Sequence, residues 1–162
     1  LLVSFPTQGH VNPLLRLDKH LVANGCFVTF STTKPTDERM RSAANSNVTI
    51  DESSPAPMDD NFFAFDFFED DLGDNDHPAR HNLSDTMAHL ERIGKQVISQ
   101  MIKKHMNAKC PVSCIVNIHF LLWVNATVEE HDIPWALQWI HSTVTFTAYN
   151  FTSKVVTFPY RF

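Results

Sequence analysis

Apolar positions along this chain follow two alternating rhythms. Residues 1–5, LLVSF, form a continuous apolar run such as a strand buried on both faces carries. Leu14, Leu15, Leu17, Leu21 and Val22 then recur at helical spacing, behind Asn12 and Pro13, a capping residue and a favoured first helical residue. Gly25 supplies the stop, because glycine adopts the left-handed conformation that ends helices. Residues 26–31, CFVTFS, read as a second strand, so the opening predicts a β-α-β unit with a right-handed crossover.

Further on, residues 35–44 predict a short helix and 48–50 a short strand. Over 51–78 the composition shifts to Asp, Pro, Ser and Asn around a Phe-rich island at 62–70, whose alternation predicts one strand between long loops. The most regular pattern is Met87, Leu90, Ile93, Val97, Ile98, Met101 and Ile102, a helix over 84–104 with Ser84 as its cap. A strand at 112–116, a helix at 121–130, a strand at 135–140 and a closing helix at 142–156 follow. Alternation of this kind, without any sequence repeat, predicts an α/β fold with a Rossmann-like, doubly wound parallel sheet.

A chain of 162 residues has the size of one domain with a real core. No apolar run approaches the roughly 20 residues that span a bilayer, so membrane insertion is not expected. A net charge of −5 offers no basic footprint for nucleic acid, which leaves small molecules as the expected ligands. Cys26, Cys110 and Cys114 lack metal or disulfide spacing and are read as buried, reduced thiols of a cytoplasmic protein. The sequence opens inside a strand pattern without a signal segment, and the start is read as trimmed. The N-x-S/T sequons at Asn47, Asn82, Asn125 and Asn150 are accordingly read as chance.

In doubly wound sheets ligands bind beyond the carboxyl ends of the strands, where the first loop carries Gln8, Gly9 and His10. Just ahead of a helix N-terminus, His10 meets a positive dipole end that favours neutral imidazole, hence a base; the plainer reading is a hydrogen bond to a neighbouring loop. Asp74, Asp76, His77 and His81 suggest a metal site, but Pro78 breaks the helical spacing that two histidines four apart require. They are read as a solvated acidic loop, and no metal is assigned. The phenylalanines of the island either fill the core or wall a pocket, since alternation sends only one set to each face.

The opening, FPTQGHVNPLLRLDKHLVANGCFVTFST, resembles that of plant family-1 UDP-glycosyltransferases, whose first loop carries P-x-x-G-H-x-x-P. Similarity continues through the Phe65 to Asp70 segment, ERIGKQVI, PVSCIVN and the W-x-x-S spacing of Trp139 and Ser142. It is strongest to the subgroup that glucosylates limonoids and hydroxycinnamates. The resemblance implies the N-terminal, acceptor-binding domain of a GT-B fold, with the UDP-sugar-binding domain lying outside residues 1–162, which would then be a fragment inactive by itself. It implies an inverting glucosyl transfer by a monomeric enzyme from UDP-glucose, a co-substrate rather than a cofactor, to a hydroxyl or carboxyl of a small-molecule acceptor. His10 matches the catalytic base; Gln8, Gly9, Phe65, Asn117, Ile118, His119, Trp139 and Ser142 match positions at the acceptor.

The chain departs from that pattern at one telling point. The position where many members hold the base with an aspartate carries Ile118, which neither donates nor accepts a hydrogen bond. Asn117 or His119 substitutes, or His10 acts unassisted, or the chain is impaired. Asp18, in place of the subgroup's glycine, and Asn125 and Thr127 are further departures, which the intact apolar pattern should absorb. A non-catalytic binding module or inactive copy is the rival reading. A different nucleotide-binding Rossmann protein is disfavoured, because the first loop has no G-x-G-x-x-G.

Overall fold

The computed structural model describes residues 1–46, 62–72, 77 and 81–153. The chain alternates β1 (Leu2–Val3), α1 (Gln8–Ala23), β2 (Val28–Ser31), α2 (Lys34–Ser46), β3 (Phe63–Phe65), α3 (Leu83–Asn107), β4 (Ile115–Ile118), α4 (Leu122–Glu129), β5 (Trp135–Gln138) and α5 (Thr143–Ser153). All strand pairs are parallel and the sheet order is β3-β2-β1-β4-β5. The order reverses direction between β1 and β4, so a crevice opens beyond their carboxyl ends. The predicted strand at 48–50, most of the acidic loop and the end of the closing helix lie outside the described residues.

The sheet is apolar because helices cover it. Leu2, Val3, Phe30, Ile115 and Ile118 are almost fully buried, and Val11, Leu14, Ile98, Ile102, Val124 and Val128 pack against them from the helices. Leu2 pairs with both Phe30 and Val116, which places the short β1 at the centre of the sheet. Helix α3 starts one residue earlier than read, with Asn82 as the cap in place of Ser84: the Asn82 Oδ1 accepts from the Ser84 N–H at 2.9 Å. Its Gly94 faces Trp123 of α4 so closely that an added Cβ would lie 2.0 Å from the indole ring.

Helix α1 ends as its glycine predicts. Gly25 has φ +79, the Gly25 N–H donates to the Val22 carbonyl at 2.9 Å, and the Cys26 N–H donates to that of Leu21 at 3.1 Å. The helix start, however, is corrected. It begins at Gln8 behind Thr7, whose backbone is extended, and Pro13 stands inside the second turn. Proline there leaves the Gly9 carbonyl without its helical donor, a cost the buried Val11 and Leu14 offset by packing on the sheet.

The cysteines are corrected too. Cys26 and Cys110 are exposed and Cys114 is half-buried. The physical reason is that strands start later than the apolar text suggests. Cys26 and Cys110 both occupy the third residue beyond a helix end, where the chain is still turning at the surface, and β4 begins only at Ile115. The Phe island resolves into the three-residue β3 plus one bridge between Thr33 and Phe68; Phe68 is buried, whereas Phe62 and Phe65 are exposed. No helix among the described residues is long and apolar enough to cross a membrane.

Candidate functional site

The crevice is built where β1 and β4 end side by side. After β1 the buried Ser4 and Phe5 continue the sheet, and Pro6 and Thr7 turn the chain into α1. Gln8, Gly9 and His10 therefore form the first turn of the helix rather than a loop ahead of it. That places the His10 ring at the positive end of α1 and over the sheet edge. Its imidazole stands edge-on to Phe5 at 5.4 Å between ring centres and to Phe120 at 4.9 Å. Burial lowers its pKa below the ordinary 6.5, and the neighbouring His141 lowers it further. Neutral imidazole, the form a base needs, is thus the resting state at pH 7.

On the β4 side the chain folds into a single 3-10 turn at His119–Leu121. This turn points the half-buried His119 into the crevice, 6.3 Å from His10 between ring centres. His119 also packs against Phe120, Trp139 and His141, with ring centres 4.2, 5.0 and 4.4 Å away. The Nε2 atoms of His119 and His141 lie 2.8 Å apart. Burial pushes the His119 pKa down to about 4, with the His141 and His10 charges adding to the effect. Phe5, His10, His119, Phe120, Trp139 and His141 together make an aromatic wall around the base.

The structure separates the predicted site residues into two groups. His10, His119 and Trp139 meet in the wall just described. Ser142 is beside it but is occupied as the cap of α5: its Oγ accepts from the Thr145 N–H at 3.3 Å, and its carbonyl accepts from the Trp139 Nε1–H at 3.3 Å. Gln8 faces the other flank, a cleft of about 490 Å³ lined also by Pro6, Thr7, Asn12, Thr36 and Arg39. Arg39 is tied there to the Pro6 carbonyl at 3.1 Å and to the Thr36 hydroxyl at 3.0 Å. Above Gly9 lies open space, since an added Cβ meets no atom within 4 Å.

Three predicted residues stand apart. Phe65, on β3, packs with Phe30, Phe63 and Phe67, with β2 between it and β1. Ile118 is fully buried in the core and lines no part of the crevice. Asn117 is also fully buried, its Nδ2 donating to the Leu121 carbonyl at 2.8 Å and to the Asn125 Oδ1 at 3.0 Å. Asn117 therefore braces the turn that presents His119, and the sequon asparagine Asn125 is its buried partner. Among the described residues no group of His, Cys, Asp and Glu is arranged to hold a metal ion.

Sequence reasoning missed Thr7, Phe5, Phe120 and His141. Phe5 and Thr7 lay inside the quoted first-loop text, and His141 inside the W-x-x-S spacing, but nothing in their order along the chain shows that they converge. The Thr7 contact matters most. Its hydroxyl does not cap a backbone N–H of α1; it meets the Nδ1 of His10 instead.

The five-stranded parallel sheet with its helices is an α/β domain that matches, in fold, the N-terminal domain of plant GT-B proteins. Solved structures share that fold. Os79 of O. sativa, in complex with U2F and trichothecene, superposes with a TM-score of 0.71 at 18% identity, over 98% of this chain and 33% of its own. UGT89C1 of Arabidopsis thaliana, complexed with UDP-L-rhamnose, gives 0.57 at 17% identity over 83% of this chain and 33% of its own.

Sequence comparison is more specific. The chain is 46% identical to gallate 1-beta-glucosyltransferase of Quercus robur, over 98% of this chain and 30% of the relative. It is 44% identical to limonoid UDP-glucosyltransferase of Citrus unshiu over 98% and 30%, and 43% identical to cinnamate beta-D-glucosyltransferase of Fragaria ananassa over 98% and 28%. No family profile matches the chain. The chain is similar to these plant UDP-glucosyltransferases and spans about 30% of their length.

Proposed function

We propose that this chain is the acceptor-binding part of an inverting UDP-glucosyltransferase, with His10 as the general base. The observation that carries the reading is the placement of a neutral imidazole on the first turn of α1, at the sheet's switch point, against an aromatic wall. In the reaction, His10 takes the proton of an acceptor hydroxyl as the oxygen attacks the anomeric carbon of the glucose. The bond from that carbon to UDP breaks with its electron pair on the departing phosphate oxygen, and the configuration inverts. A carboxylate acceptor is ionised at pH 7, and for it the site would contribute orientation rather than deprotonation.

The aromatic wall and the cleft beside Gln8 suit a flat phenolic acid or a polycyclic terpenoid, the two acceptor types that the relatives' names span. The donor sugar nucleotide is assigned mainly to a second domain, outside residues 1–162, and the enzyme is proposed to act as a cytoplasmic monomer without a cofactor. The test is glucose transfer from UDP-glucose to gallate, cinnamate and limonoid acceptors by the full-length protein that carries this sequence, beside its His10→Ala variant. Transfer lost in the variant supports the base; a folded full-length protein that binds acceptors and transfers nothing would make this a binding module.

A further inference from the structure

Among the described residues, none that sequence spacing offers as a partner hydrogen-bonds the His10 ring. Ile118 is apolar and buried, Asn117 is bonded to Leu121 and Asn125 inside the domain, and the His119 Nε2 is paired with His141. The group that does reach the ring is the Thr7 hydroxyl, at the Nδ1 of His10. The backbone builds this contact. Thr7 is the extended residue at the start of α1, at φ −130 and ψ 147, and the His10 N–H donates to its carbonyl at 3.0 Å. A side chain at the cap and one three residues later stand over the same turn, so the hydroxyl meets the imidazole where a cap would ordinarily meet a backbone N–H.

A neutral imidazole carries one N–H, and the nitrogen that lacks it is the base. A hydroxyl that accepts from Nδ1–H leaves the lone pair on Nε2, the nitrogen farther from the backbone. Phe5 and Phe120 stand edge-on against the ring, which leaves the choice of tautomer to the Thr7 hydroxyl, its one polar contact among the described residues. We propose that Thr7 is the positioning residue of the base: its hydroxyl accepts the Nδ1–H of His10 and fixes the tautomer whose Nε2 faces the acceptor. The inference rests on His10 being the base, and it assigns to the residue at the helix cap the orienting part that an aspartate performs in other His-dependent sites.

The test separates the two claims. Nitrogen-15 NMR of the histidine rings reads the His10 tautomer directly, and transfer kinetics of the full-length protein read its consequence. Thr7→Ser keeps a hydroxyl, whereas Thr7→Val keeps the shape and removes it; because Thr7 makes no side-chain cap bond, neither change should unfold α1. The expected result is Nδ1–H His10 in the parent and in Thr7→Ser, a shift toward the Nε2–H form in Thr7→Val, and a kcat lowered about tenfold in Thr7→Val with KM nearly unchanged. An unchanged tautomer in Thr7→Val, or Nε2–H in the parent, overturns the proposal. Full transfer by His10→Ala overturns the base assignment instead, and with it the catalytic meaning of Thr7, while the NMR result still reports whether the hydroxyl sets the tautomer.

Discussion

His119 and His141 meet nitrogen to nitrogen, with their Nε2 atoms 2.8 Å apart in the crevice. Such a contact is a hydrogen bond only while one ring supplies the proton and the other a lone pair; two imidazolium rings would repel. The folded pKa of His119, about 4, lies below its ordinary 6.5. Between those values the unfolded chain binds a proton that the folded chain refuses, so this group's contribution to stability is full above pH 6.5 and is lost as pH falls toward 4. Urea unfolding at a series of pH values should show that decline in the parent and a flatter acid limb in His119→Phe. Equal acid slopes in the two proteins would remove the pair as the cause.

Asp18 should act with the opposite sign. It is buried on α1, its Oδ1 has no hydrogen-bond partner among the described residues, and burial raises its pKa from 3.8 to about 6. Above pH 6 the carboxylate is ionised in both states and the fold carries the whole penalty. The penalty fades as pH falls through the folded value and is gone below the unfolded one. Asp18→Ala is expected to stabilise the domain by on the order of 2 kcal/mol at pH 8 and by about half of that at pH 5, as measured by denaturant unfolding. A variant no more stable than the parent at pH 8 would show that the carboxylate finds solvent.

Gly94 is the place where α3 and α4 allow no side chain. With the Trp123 ring 2.0 Å from a Cβ at that position, Gly94→Ala must displace the indole or the helix, although alanine is the better helix former. We expect a loss of about 1–3 kcal/mol in urea unfolding, and Trp123→Leu in the same chain should recover part of it.

Helix α3 ends on a lysine in the conformation that Gly25 adopts at the end of α1. Lys109 has φ +58, and the Cys110 N–H donates to the His105 carbonyl at 3.1 Å. Lys109→Gly should therefore stabilise by about 0.5–1 kcal/mol, the left-handed strain relieved less the extra freedom of the unfolded glycine. The reverse change, Gly25→Lys, should cost a similar amount, read as opposite shifts in melting temperature.

Gly9 tests the crevice from the ligand side. Among the described residues no atom lies within 4 Å of a Cβ added there, so Gly9→Ala should leave the fold intact or slightly firmer, as helix propensity favours alanine. In the proposed glucosyltransferase the same methyl would meet the acceptor, and transfer by the full-length protein should fall with a raised KM. Unchanged kinetics would place the acceptor away from the first turn of α1.

The order of strands and helices was legible in the sequence because burial imposes its period on the chain: LLVSF and the apolar face of 84–104 are explicable only as elements covered on the sides where those residues fall. The stop of α1 was legible too, since Gly25 has a local conformational reason. His10 could be singled out because a motif places it beyond the first strand. These readings need nothing beyond the neighbours within a turn or two, and there the sequence by itself decided the outcome.

What only the tertiary structure decided involves residues far apart in the chain or choices between near-equal local options. Asn-Pro at 12–13 is a sound local helix start, yet α1 begins at Gln8, because extending it by a turn buries Val11 and seats His10 between Phe5 and Phe120. The cysteines look like strand residues until the closing turns of α1 and α3 hold them at the surface. Asn117, Ile118 and His119 are consecutive, yet the first two end β4 inside the domain and the third opens the 3-10 turn toward the site. Phe120 and His141 join His10 because β4 lies beside β1 and β5 beside β4, contacts that loop closure and packing create and that no local period records.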